Sequence, residues 1–370
     1  MKIVAWVGGG LVALALLGLA GFGLFREEIA RAVFDRAVTA NLAPDRLSEL
    51  PDGLHVFVCG SGGPMADPDR AGPCLAVLAG DKPFLFDMGS GAMRRLGRMG
   101  FPIGRTERLF LTHLHSDHLD GVGEFLLQEW VGGTRTEPVI VAGPRGTEEV
   151  IAGFRQAYRI DQTYRTAHHG EAVAPPSGFG AAVEEIDLGV GGRALLPTQE
   201  IVDPVLVYET DDITIEAFPV SHAPAEPAFG FRIRYKDRTV VISGDTAFDR
   251  NVIAAAVDSD VLFHEALDPE MVLMMRDAAS SNGLGHIAKI MQDILDYHTS
   301  PEGAAEVAEE AGVEMLVLYH LIPPMPSRLL QPLFLGDAEE RFEGPIVIAE
   351  DGLVVSLPAG SEEIDLEQKL

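Results

Sequence analysis

Residues 111–121, Leu-Thr-His-Leu-His-Ser-Asp-His-Leu-Asp-Gly, constrain this chain more than any other stretch. His113, His115, Asp117 and His118 fall within six positions. The apolar run before them (108–111) predicts a buried strand, and 119–130 predicts a helix. The four polar side chains therefore sit where a strand hands over to a helix, the place where α/β folds set their ligands. Imidazole and carboxylate are good donors to zinc and related divalent ions. In an extended loop side chains alternate with period two, so His113 and His115 point the same way and can grip one ion. Asp117 and His118 diverge from that pair, so one short loop can seed two neighbouring metal sites. A polar surface loop needs no such density, since the chain has 11 histidines in 370 residues.

Three more residues share one context, a ligand type just after an apolar run. His222 follows 213–218, Asp245 follows 240–242, and His320 ends the run 316–319. Each alone reads as a capping aspartate or a satisfied core histidine. Together with the first cluster they make seven nitrogen and oxygen donors, enough for two metals with open positions. Asp87 ends the predicted strand 83–87 and precedes glycines. It reads equally as a turn residue or as a partner that orients a ligand. His168-His169 lies on an irregular segment and reads as solvated. Gly60-Ser61-Gly62-Gly63 lacks the Walker lysine, and no helical pattern follows it, so it reads as a turn.

Two runs of strands with helices between them predict an α/β chain of two packed sheets with helices outside. The layout is a stalk or linker at 26–50, a catalytic body at 51–358 with an insert at 160–204, and an acidic tail at 359–370. A formal net charge of −28 argues against an extended nucleic-acid surface. A buried metal site could still take one phosphodiester. Residues 3–25 carry no charge, with Lys2 before them and Arg26-Glu27-Glu28 after them. That length spans a bilayer, and a cleaved signal peptide is the rival. Length and the missing cleavage site favour a membrane anchor through 3–25. The N-in bias of Lys2 then sets the catalytic body outside the cytoplasm, in the periplasm. Cys59 and Cys74 end and begin neighbouring apolar runs. They are equally two free thiols or a disulfide, the latter giving about 3 kcal/mol if unstrained.

Thr-His-Leu-His-Ser-Asp-His at 112–118, Ser-His at 221–222, Ser-Gly-Asp-Thr at 243–246 and Tyr-His at 319–320 come in that order. This ordered set resembles the metallo-β-lactamase superfamily over roughly residues 54–357. The resemblance implies that superfamily's αββα sandwich of two packed mixed sheets with outer helices. It also implies a dinuclear site, with His113, His115 and His222 on the first metal. Asp117, His118 and His320 would hold the second, with Asp245 bridging. Two divalent ions follow, zinc first, with manganese or iron accepted by the same donors. No organic cofactor is implied. Phe263-His264-Glu265-Ala266-Leu267 is similar to the His-Glu-Ala-Thr element of the ribonuclease Z and arylsulfatase-like branch. His298-Thr299-Ser300-Pro301, followed by a helix and a strand ending in histidine, is similar to that branch too. In ribonuclease Z the matching glutamate and histidine assist catalysis, so Glu265 and His298 join Asp117 as catalytic candidates. The chain departs from the branch by Ser116 in place of a usual glycine, by lacking a long basic arm for tRNA, and by the expected anchor.

The implied activity is a dinuclear metal-dependent hydrolase, ribonuclease Z-like, in which hydroxide formed on the metals attacks a phosphodiester-type bond. Asp117 would accept a proton, and His298, oriented by Glu265, would donate one to the leaving group. The alternative is an arylsulfatase, lactonase or other small-ester hydrolase outside the cytoplasm. A diiron oxidoreductase usually replaces a ligand histidine and carries a flavodoxin domain, and neither is seen. The complete ligand set argues against an inactive metal-binding scaffold. The partners expected are a small-molecule or phosphodiester substrate and the membrane, with the oligomeric state open and a dimer allowed. Substrate choice is expected to lie in 160–204 and around Glu265 and His298.

Overall fold

The computed structural model of the chain describes residues 22, 25–39, 50–189 and 201–370. Contacts divide the chain into two units, Met1–Glu49 and Leu50–Leu370. In the first, residues 25–39 are helical and exposed, and 40–49 lie outside the described residues. The expected membrane anchor is corrected here. Among the described residues no helix is long and apolar enough to cross a membrane. The run 3–25 lies outside the described residues apart from Phe22 and Phe25. The helix that is described, 25–39, falls in the expected stalk. The membrane partner and the periplasmic body rested on that anchor and are withdrawn with it.

The second unit is a sandwich of two mixed sheets. The chain order is β1 (Gly53–Gly60), β2 (Cys74–Ala79), β3 (Lys82–Phe86), β4 (Arg108–Phe110), β5 (Val139–Gly143) and β6 (Ala181–Glu185). Then come β7 (Val205–Glu209), β8 (Ile213–Val220), β9 (Ala228–Tyr235), β10 (Arg238–Ile242), β11 (Val261–Leu267), β12 (Met315–Ile322) and β13 (Ile346–Ile348). The last two strands are β14 (Leu353–Pro358) and β15 (Asp365–Gln368). One sheet runs β15-β14-β1-β2-β3-β4-β5-β6 and the other β13-β12-β11-β10-β9-β8-β7. Strands β3 to β6 pair in parallel, as do β10 to β13, while the hairpin-linked strands pair antiparallel.

Period-two alternation builds the core between the sheets. Leu54, Val56 and Val58 face it from β1, and Ile213, Ile215 and Ala217 from β8. Phe86, Phe110 and Phe231 meet there with ring centroids 5.2 to 5.3 Å apart. The outer face of the second sheet carries Val241, Leu262 and Leu316, covered by helices Arg250–Ala256 and Pro301–Ala311. Each sheet is thus apolar on both faces, which is why its central strands read as continuous apolar runs. Cys59 and Cys74, left open by the sequence, form a disulfide with a Cα–Cα distance of 5.1 Å. The β1–β2 register brings them together, with Gly60 opposite Cys74.

Three elements differ from the sequence reading. The helix Thr147–His169 runs into the expected insert at 160–204, because no proline intervenes before its cap at Gly170. The acidic end adds β15 beside β14. A helical hairpin, Pro269–Ser281 and Gly285–Asp293, stands between β11 and His298, where no element was expected.

Candidate metal centre

The parallel strands deliver their C-terminal ends to one edge of the sandwich, and the ligand candidates stand there. His113, His115, Asp117 and His118 follow β4, His222 follows β8, and Asp245 follows β10. His320 lies within β12. Opposite Glu265 and Ala266 the register skips one residue, so Tyr319 and Leu321 are paired and His320 is the extra residue of a bulge. Its φ of 48° is the left-handed backbone this requires. Gly244, just before Asp245, has φ 63°, and a Cβ there would meet the Phe229 carbonyl oxygen at 2.4 Å. Glycine is therefore needed to bring Asp245 over the end of the sheet.

The donor atoms converge in two groups. His115 Nδ1 lies 3.0 Å from His113 Nε2 and 3.2 Å from His222 Nε2. Asp117 Oδ2 lies 3.6 Å from His118 Nε2 and 3.3 Å from His320 Nε2. Asp245 Oδ2 stands between the groups, 3.9 and 3.8 Å from His113 and His222 Nε2, and 3.2 and 3.1 Å from His118 and His320 Nε2. Each triad has its ligand atoms within 4.8 Å of one another. The structure thus brings all seven candidates together, and His113, His118 and Asp245 form a further group across the two triads.

These residues fit divalent cations. Among the described residues Asp117 and Asp245 pair only with histidines, never with a lysine or arginine. Asp245 Oδ1 is buried with no hydrogen-bond partner. Burial would raise the Asp245 carboxyl, but His320 and His118 hold it well below the usual carboxylate range. Burial would lower His118, but Asp245 and Asp87 outweigh it and draw the ring well above its ordinary value. Those neighbours favour positive charge at this spot. Burial pushes His222 down to about 3, leaving its ring neutral and free to ligate.

Supporting contacts fix the rings. Asp87 Oδ2 lies 2.8 Å from His118 Nδ1, and its other oxygen accepts from the Thr112 amide at 2.8 Å. The orienting reading of Asp87 is the one the geometry matches. Thr112 Oγ1 lies 3.0 Å from His113 Nδ1, and His222 Nδ1 donates to the Tyr297 carbonyl at 3.0 Å. Such partners choose the tautomer that presents Nε2 to the centre. Tyr297 was missed in the sequence because a carbonyl leaves no residue-type signal, and Thr112 because a lone hydroxyl beside a ligand has none of its own.

Glu265 and His298 lie beside the centre. Glu265 Oε1 takes His298 Nδ1 at 3.0 Å and the amides of Thr246 and Thr299 at 3.1 Å each. Burial and then Asp245 push this carboxyl up, against the two amides that pull it down. Burial lowers His298 to about 4, so its resting ring is neutral. Its ring stacks on His320 at 5.6 Å and borders a cavity of about 330 Å³ shared with His115, Asp117 and Asp245. His168 and His169 are exposed at a helix end far along the chain, as solvated residues should be.

Comparison with known proteins matches these observations. Residues 68–327 match the model of the metallo-β-lactamase superfamily. A ribonuclease Z from Mycolicibacterium gilvum is 34% identical over 304 residues, covering 80% of this chain and 94% of that protein. A ribonuclease Z from Mycobacterium avium is 34% identical over 300 residues, covering 80% and 96%. Human tRNase Z, short form, superposes with TM-score 0.57 at 23% identity, covering 82% of this chain and 99% of that one. The metallo-β-lactamase fold protein YhfI of Bacillus subtilis gives TM-score 0.56 at 19% identity over 83% and 100%. These two share the fold. The arylsulfatase, lactonase and small-ester alternatives gain no support from these relatives. The chain belongs to the metallo-β-lactamase superfamily and is a ribonuclease Z-like, metal-dependent hydrolase.

Proposed function

We propose that the chain hydrolyses a phosphodiester bond with two divalent ions. His113, His115 and His222 would hold one, Asp117, His118 and His320 the other, and Asp245 both. The observation that carries this reading is the position of Asp245 Oδ2 between two triads of donors. When bound, such a pair supplies a Lewis acid and makes water nucleophilic near neutral pH. The likeness to proteins named ribonuclease Z supports phosphorus as the electrophile.

The chain's own residues do the rest. Asp117, partly exposed at the cavity, can take the proton of the attacking water. His298 hands a proton to the leaving oxygen. Its ring is neutral at rest, and an anionic phosphate in the cavity raises its affinity for a proton. Glu265 Oε1 holds Nδ1, so Nε2 faces the substrate. Dense acidity elsewhere on the chain, with formal net charge −28, supports one diester at the centre and no extended nucleic-acid surface.

Asp117→Ala tests this directly. The variant should lose at least 100-fold of its activity on a chromogenic phosphodiester, the size of a lost proton-transfer group on the order of 10²–10⁴. Metal analysis should find fewer than two ions per chain where the wild type holds two. Full activity, or two retained ions, would overturn the assignment.

A further inference from the structure

The cavity beside the centre has two unlike sides. One is the polar set already described. The other is apolar, formed by Met65, Ile290, Met291, Ile294 and Ile322, with Tyr297 at the seam. Three of its members come from the second helix of the hairpin, Gly285–Asp293, and the turn after it. Met291 and Ile294 are locked below, in a buried cluster with Leu267, Val272 and Ile322. Ile290 is not part of any core, since half of its surface is exposed at 50%. Ile290 thus carries the apolar side out to the rim of a cavity lined by two aspartates and three histidines. Large apolar surface left exposed at a cleft marks contact with an apolar group.

The charges point the same way. Among the described residues no lysine or arginine lines this cavity. A second cavity, across His115, has one, Arg145, among Leu114, Pro144, Pro224 and Pro227. A polynucleotide needs a series of cations along its backbone to offset its phosphates, and this cleft offers one. Described residues of 160–204, the expected specificity region, contribute nothing to the lining.

We infer that the apolar wall selects a small phosphodiester, one of whose ester groups is compact and aromatic or otherwise apolar. That group seats against Ile290, Met65 and Tyr297 while the phosphoryl group faces the donors. These are specificity-determining residues, not catalytic ones, and the inference rests on the phosphodiester reading above. A cavity of about 330 Å³ is at the small end of ligand pockets and suits one ring beside a phosphoryl group.

The test uses the full chain loaded with zinc. Phenyl p-nitrophenyl phosphate and methyl p-nitrophenyl phosphate share a leaving group and differ only in the group offered to the wall. Ile290→Ser and Met65→Ser are the variants, both at incompletely buried positions, so folding is preserved. The phenyl-to-methyl ratio of kcat/KM should fall about fivefold in each, the scale of one lost apolar contact. Binding of phenylphosphonate against methylphosphonate, read by calorimetry, should lose preference in parallel. If both diesters are cleaved and neither variant moves the ratio, the wall is refuted. If the wild type cleaves a short RNA faster than the phenyl ester, the small-diester specificity is refuted. If no diester is cleaved but the variants still lose the phenylphosphonate preference, the phosphodiester reading fails and the wall stands. Neither cleavage nor preference would sink both.

Discussion

The strand-end loops and the helical hairpin border the same cavity, yet different physics specifies them. In the loops Asp87 at φ 57° and His320 at φ 48° hold functional side chains on an uncommon backbone state, and Gly244 at φ 63° does so next to Asp245. Left-handed backbone costs on the order of 1–3 kcal/mol at a non-glycine residue and persists only where its surroundings hold it. The hairpin uses left-handed backbone at Gly283 alone, φ 73°, in its turn and away from the cavity lining, where glycine carries no such cost. Pro269–Ser281 starts at a capping aspartate and a first-turn proline, and it packs through ordinary apolar contacts. The centre is therefore intolerant of change, whereas its apolar wall can be rebuilt side chain by side chain. The proposed chemistry and the proposed substrate choice thereby fall on separable parts of the chain.

The strongest way to break that contrast is at Gly244. In Gly244→Ala the new Cβ would sit 2.4 Å from the Phe229 carbonyl oxygen, on a backbone at φ 63°. Strain of this kind should cost about 3 kcal/mol in urea unfolding. Because Asp245 is the next residue, the metal content should fall as well. A loss under about 1 kcal/mol with both metals retained would mean that the loop is as adaptable as the hairpin.

How far each region can be read in the sequence follows the same division. Ligand chemistry is carried by residue type, so His113, His115, Asp117 and His118 announce themselves by density. His222, Asp245 and His320 announce themselves by standing after apolar runs. The two sheets were legible because their strands, buried on both faces, read as unbroken apolar stretches such as 315–322. The hairpin was illegible by that method. Its residues 269–293 mix Met, Ala and Ser with charges. Signals were there nonetheless: Asp268-Pro269 is a helix start, and Asn282-Gly283 is a stop. Tyr297 and Thr112 could not be found because they act through a carbonyl and a rotatable hydroxyl. Helical residues 159–169 were read as irregular because their outward face is polar, with only Thr147 and Ile151 of that helix buried.

A milder test acts on the hairpin itself. Val272 is fully buried against Leu267, Met291, Ile294 and Ile322. Val272→Ala removes two methyl groups from that contact and should cost about 2 kcal/mol. Two metals should still bind, since the cluster holds no ligand, and Tyr297, which packs against it, supports His222 through its backbone carbonyl. Metal analysis is the decisive measurement, because loss of an ion here would show that the hairpin shapes the centre and not only the wall.

The smallest effect concerns the hairpin's first residue. Asp268 caps Pro269–Ser281 by accepting the Met271 amide at 2.6 Å, and its own amide donates to Ile322. Burial raises its carboxyl above the ordinary value, the Met271 amide opposes this, and Glu302 and Glu270 add to it. The folded chain therefore keeps this proton to a higher pH than the unfolded chain does. Between the unfolded value, about 3.9, and the raised folded one, unfolding releases a proton, so stability falls as pH rises through that window. Above it the penalty is complete, and below it the penalty vanishes. Asp268→Asn keeps a capping oxygen of equal quality but carries no charge. The metal-free variant should gain roughly 0.5 kcal/mol at pH 7 and nothing at about pH 3.5, below the unfolded value. A gain that persists or grows in acid would place the cause in the cap's geometry, and the hairpin would then join the loops as a region set by backbone and not by side chains.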